Sequence, residues 1–182
     1  MNPSAHLKTI HRGSRFLAWF CLLAAIIWPL VSVGWVLVGK EAELYSTLGV
    51  EPPVGASVTL RTGQRLLVSA INVVPILATG IGLLALYKCF RLFSAGEYFS
   101  VRTVRLLRRF SGWTFCATVL GIVFQPLTTV ALTYGFPDGQ HQAFFSFGPH
   151  QFHPLLIAGT VWVISGAMAE AGRLADENAQ FV

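Results

Sequence analysis

The segment Phe16–Val38, FLAWFCLLAAIIWPLVSVGWVLV, carries no charged side chain, and its reading decides the fold. A helix needs roughly 20 predominantly apolar residues to cross the ~30 Å hydrocarbon core of a bilayer. Phe16–Val38 is long enough, as are two further uncharged stretches, Leu66–Tyr87 and Gly112–Tyr134. A fourth run, Leu155–Ala169, is shorter. Extended by Phe152 and by Glu170–Gly172 it makes a span over 152–172 and places Glu170 near a membrane surface. The whole chain agrees with this reading: 54% of its 182 residues are hydrophobic, 12% are charged and the mean hydropathy is +0.61. Soluble domains carry about a quarter charged residues. Here 13 basic and 8 acidic side chains are too few to cover the surface in water. A soluble enzyme, a DNA-binding domain and a disordered chain are excluded.

The first span follows a basic lead (Lys8, Arg12, Arg15), as a signal peptide does, and Ser32 and Gly34 form a small-residue pair. A signal h-region is about 7 to 15 residues, so this longer run reads as an uncleaved anchor. Lys and Arg set the orientation. The N-terminal tail, the 88–111 loop and Arg173 hold most of them, against Lys40, Arg61 and Arg65 on the other side. The positive-inside rule then puts both termini and the 88–111 loop in the cytoplasm, leaving 39–65 and 135–151 as outer loops of one membrane domain. The net charge of +5 needs no nucleic acid to explain it, because anionic lipid headgroups are the nearest phosphates.

Within the central loop, span two continues through Lys88–Phe93, Ser94-Ala-Gly-Glu97 reads as a turn with Gly96 at positive φ, and Ser100 is placed to N-cap a second helix. Val101, Val104, Leu107 and Phe110 recur every third residue, with Arg102, Arg105, Arg108 and Arg109 on the other face. Two readings fit equally: a short cytoplasmic amphipathic helix lying on the membrane with its arginines on lipid phosphates, or a connector that carries only the topology signal.

The stretch Arg91-Leu-Phe-Ser-Ala-Gly-Glu-Tyr-Phe-Ser100, followed by Val104-Arg-Leu-Leu-Arg-Arg-Phe110, resembles the cytoplasmic loop of the bacterial membrane family catalogued as domain of unknown function 2975. The ending Ala171-Gly-Arg-Leu-Ala-Asp-Glu-Asn-Ala-Gln-Phe-Val182 is similar to that family's C-terminal signature. Where members often carry acidic or Asn residues this chain has Val101-Arg102-Thr103. The resemblance implies a four-span protein of the bacterial inner membrane with no assigned activity.

Reaction chemistry finds little footing. Bis-His haem binding needs histidines inside the spans, whereas His6, His11, His141, His150 and His153 lie outside them. Cys21, Cys89 and Cys116 are far apart and none is external, which suits packing and no disulfide. No span has a mid-membrane carboxylate for proton coupling. Asp138, His141, His150 and His153 are metal-ligand types, but their spacing matches no standard motif, and Phe144, Phe145 and Phe147 beside them suggest an interfacial aromatic belt. No cofactor or metal is expected.

The uncommon residues inside the spans are Asn72, Gln125 and the prolines Pro29, Pro75 and Pro126. Counting helix rise puts all three prolines at one depth, about 12 to 14 Å below the outer boundary, with the amides within a turn of it. That layer reads either as a small outward-facing polar pocket at Asn72 and Gln125 or as ordinary helix packing. If a pocket exists, Gln125 faces it and Pro126 turns away. Ala78-x-x-x-Gly82 and Ala117-x-x-x-Gly121 are close-approach pairs that join helices within or between chains. Glu170 is expected to pair with Lys88 or Arg91. The expectation is an all-α four-helix membrane bundle and a non-enzymatic regulatory or accessory subunit whose cytoplasmic loop and tail meet a protein partner. A small transport or permeation component is the alternative.

Overall fold

The computed structural model describes residues 3–47, 59–134, 136, 143, 145 and 147–179. Among them are five helices and no strand: α1 (Pro3–Val38), α2 (Glu41–Thr47), α3 (Thr62–Ser94), α4 (Val101–Thr133) and α5 (Pro149–Ala179). Four of these are long and apolar enough to cross a membrane, over His11–Val38, Thr62–Ser94, Val101–Thr133 and Pro149–Leu174. Their large apolar side chains point outward; Phe16 is 71% exposed and Val163 71%. That pattern is wrong for water and right for lipid. The chain is a multi-pass membrane protein.

The four long helices form an open row and no closed bundle. α3 packs on α1 and on α4, α5 packs on α4 alone, and the described residues of α1 and α5 form no packed interface. Small residues decide the contacts, since without a hydrophobic force between helices in lipid the backbones must come close. Ser14, Ala18 and Cys21 are the buried residues of α1 near its start, at helical spacing. Across the α3–α4 contact, a Cβ at Gly82 would sit 3.3 Å from Trp113 Cβ, so the Ala78/Gly82 pair works within this chain. α5 is tied to α4 by the buried Ser111 hydroxyl, which donates to the Ala158 carbonyl at 2.6 Å.

The segment Val101–Phe110 is the beginning of α4 and no separate amphipathic helix. Ser111 and Gly112 do not interrupt it, and the helix runs on into the span. Its start was legible: Ser100 Oγ accepts from the Thr103 amide at 3.2 Å, and Gly96 in the preceding turn has φ of 86°. The segment between the first two spans, read from sequence as an outer loop, contains α2. Its Leu44 and Tyr45 are buried with Leu60, Val68, Ala131, Leu132 and Phe136, closing one end of the row.

Arg65 holds that end together. One terminal nitrogen, Nη1, donates to the carbonyls of Val36, Leu37 and Gly39 at 3.1, 3.1 and 2.9 Å. The other, Nη2, reaches Glu41 at 3.4 Å, and Glu41 in turn accepts from the Leu60 amide at 2.9 Å. One guanidinium thus caps the C-terminus of α1, where orphan carbonyls and the negative end of the helix dipole lie, and ties it to α2 and α3. Replacing Arg65 with Gln is expected to cost about 1–2 kcal/mol, because three carbonyls, two of them partly buried, lose a charged donor. Arg65→Lys should recover only part of this, as an ammonium cannot span the same fork. Thermal unfolding of both variants in one detergent measures the order.

Candidate functional site

Antiparallel register brings the unusual residues of the spans to one level. Asn72 Nδ2 donates to Thr128 Oγ1 at 3.1 Å and to its own helix at Val68 O, 2.9 Å. Counting on from that pair sets Pro75 of α3 level with Gln125 and Pro126 of α4. On the other side of α3, Gly80 faces the Ala25 carbonyl, 3.6 Å from where a Cβ would sit, which sets Pro29 level with Ile76. The helices run on through all three prolines. Hydroxyls one turn away bond the carbonyls of two of them, Thr79 to Pro75 at 3.0 Å and Thr129 to Pro126 at 2.9 Å.

One level does not mean one cavity. α1 packs on the far side of α3, so Pro29 is separated from Gln125 by a helix. Asn72 and Gln125, in contrast, line the same concavity, and Pro126 does not. This is a groove of about 440 Å³ with α4 as its floor, α3 and α5 as walls and Thr47 of α2 also in its lining. The floor repeats as Thr114, Thr118, Gly121, Gln125 and Thr128, spaced four, three, four and three residues apart. That is one face of an α-helix, about 20 Å long at 1.5 Å per residue. Asn72 and Thr79 come from α3, and His150 and Gln151 from the start of α5. The lining therefore offers amides, hydroxyls and one imidazole, groups that give and take hydrogen bonds without carrying a fixed charge.

The sequence reading found the two amides of this groove and missed its threonines, although their spacing is regular. It also missed Gln151, whose side chain accepts from the Gly148 amide at 2.7 Å and closes the N-terminus of α5. His153 is exposed, while Asp138 and His141 lie outside the described residues. No group of three metal-ligand types occurs among the described residues. Cys21 and Cys89 are buried, Cys116 is partly buried, and all three are free thiols. Beside the groove, in α2, burial holds the Tyr45 phenol above its ordinary pKa, with Glu41 adding to the rise and Arg65 opposing it.

At the opposite end of the molecule the α3–α4 turn gathers the basic residues. His11 Nδ1 donates to the Ser94 carbonyl at 2.7 Å, which fixes α1 against the end of α3. Lys88, Arg91, Arg102, Arg105 and Arg109 line one cleft there. Arg108 does not join them: its guanidinium lies 5.7 Å from the centre of the Trp162 ring on α5. Glu170 does not pair with Lys88 or Arg91 as expected, because α5 packs on α4 and not on α3. It bonds Arg173 on its own helix at 2.6 Å, and Arg173 also approaches Glu177 at 3.7 Å. These side chains are more than half exposed, so the pair contributes little. Glu170→Gln should shift stability by less than about 0.5 kcal/mol, and a double-mutant cycle of Glu170 with Arg91 should show no coupling.

Comparison of the chain with protein-family models, with curated proteins and with solved structures finds no match in any of the three.

Proposed function

We propose that this chain is a non-enzymatic accessory subunit of a bacterial inner-membrane assembly, and that its α3–α4–α5 groove seats a transmembrane helix of a partner subunit. One observation carries the reading: a hydrogen-bonding groove about 20 Å long runs along α4 and is walled on only two sides. Thr79, Thr118 and Thr128 bond their own helices and Asn72 bonds Val68 and Thr128, so the groove is a satisfied polar surface on which a close-fitting helix packs better than lipid chains. Its open side faces laterally, where a helix with small and polar residues enters from the bilayer. Gly121 lies exposed on its floor, and a Cβ there would meet nothing within 4 Å. The small residue leaves room for a close neighbour that this chain does not supply.

The second reading is a permeation component for a small polar solute, favoured by His150 and Gln151 where the groove reaches the α2 end. A three-sided groove would still need another wall to keep lipid from the solute, so this reading also requires a partner. The resemblance to the four-span family named above fits both readings, since it implies topology alone.

Orientation belongs to the same proposal. Arg12, Arg15, Lys88, Arg91, the four arginines of early α4 and Arg173 gather at the hairpin end, whereas Arg65 at the other end is committed to capping α1. The positive-inside rule puts the hairpin end in the cytoplasm. A reporter active only in the cytoplasm is expected to work when fused after Val182 and to be silent at Gly139. The reverse result would overturn the orientation.

The seat is tested with Gly121→Trp, which fills the groove without meeting this chain's own atoms at its Cβ. A stoichiometric membrane protein should co-purify with the native chain in mild detergent, be cross-linked by a photoreactive residue at 121 and be lost from the Trp variant. A photoreactive residue at Val163, on the far side of α5, should not capture it. Adducts at 121 only to lipid, or only to a second copy of this chain, would overturn the accessory reading. Stabilisation by a solute without any such protein would favour permeation.

A further inference from the structure

We infer that the basic cleft between the end of α3 and the beginning of α4 is a specific site for a membrane lipid whose headgroup carries two phosphates. The cleft has a volume of about 560 Å³, and five cations line it: Lys88 and Arg91 from α3, Arg102, Arg105 and Arg109 from α4. Their positions follow from helical spacing. Residues 102, 105 and 109 share one face of α4, and 88 and 91 are neighbours on α3, so the tight turn at Gly96 folds the two sets onto one another.

No carboxylate lines the cleft. The described ion pairs are all elsewhere, at Arg65 with Glu41 and at Arg173 with Glu170 and Glu177. Five like charges held together repel one another, and that repulsion is relieved when an anion enters. The first turn of α4 adds the positive end of its helix dipole. The selection is specific, since Arg108 in the middle of the same run turns to Trp162 on the far side. The site is narrower than the arginine face expected from sequence, and it recruits Lys88 and Arg91, which that face did not contain.

The ligand's class follows from charge and from the floor. A single phosphodiester brings one negative charge to five positive ones, and a two-phosphate headgroup brings two. Leu92 and Leu106 line the same cleft. An apolar floor under a cationic rim at the end of two spans suits a headgroup with its acyl chains attached, better than a soluble anion, which gains nothing from leucines. This inference uses a different face from the helix seat, so either stands if the other fails.

The experiment measures binding to the purified full chain in detergent by the rise in its unfolding temperature. The probes are diphosphatidylglycerol, phosphatidylglycerol, phosphatidylcholine and inorganic pyrophosphate. The two-phosphate lipid should stabilise most, the one-phosphate lipid less, and phosphatidylcholine not at all. Arg105→Gln with Arg109→Gln should weaken the two-phosphate lipid about thirtyfold, at roughly fivefold per cation removed. Arg108→Gln should leave its affinity unchanged. Should the double variant fail to fold, Lys88→Gln with Arg91→Gln tests the other wall with the same expectation. Equal response to phosphatidylcholine, equal loss in Arg108→Gln, or unchanged binding in the cleft variants would overturn the site. An equal rise with pyrophosphate alone would overturn the lipid assignment in favour of a soluble phosphate.

Discussion

Inside hydrocarbon no water is available to a stray peptide group, and the architecture depends on that constraint. It explains why α4 runs unbroken from Val101 to Thr133 through Gly112 and Pro126, and why α3 passes through Pro75 without ending. It also explains where side-chain chemistry is spent. Thr79, Thr118, Thr128 and Thr133 return their hydroxyls to carbonyls of their own helices, and Asn72 divides its amide between its own helix and Thr128. The same need acts at the helix ends, where Arg65 satisfies three carbonyls of α1 and its vicinity at once.

Because lipid is as apolar as the helices, packing rests on shape. The row of α1, α3, α4 and α5 follows from where small residues lie. α3 carries Ala78, Gly82 and Ala85 toward its neighbours, and α1 carries Ser14, Ala18 and Cys21. α5 is tied to α4 at Ala158, and Gln151, Ala158 and Ser165, which recur every seven residues, are its buried positions among the described residues. Each interface uses one narrow stripe. A helix with a single stripe has a single neighbour, so α1 and α5 end the row and the groove on α4 stays open.

The two ends of the row differ in how their charges are used. At the α2 end Arg65 and Glu41 neutralise each other while bonding backbone, so charge there serves the fold. At the hairpin end five cations converge without a carboxylate among them. Charge in that state is electrostatically costly to the folded chain alone and is made favourable by an anion outside it.

The sequence by itself determined the membrane class and the positions of four long helices, because uncharged runs of sufficient length have no other stable home. Local rules also made the Gly96 turn, the Ser100 cap and the continuation of α3 through Phe93 legible, since each depends on residues adjacent in the chain. Counting helix rise put Asn72 and Gln125 near one depth, and the structure has both lining one groove. Only the tertiary structure decided that α5 packs on α4 alone, which removes Glu170 from Lys88 and Arg91 and sends Arg108 to Trp162. It also decided that Pro29 shares a level with the other prolines but no cavity, and that Arg65 caps the end of α1. Those outcomes turn on which stripe of small residues meets which. Several such stripes were present in the sequence, and in a solvent that favours none of them only the fit of whole helices selects the pairing.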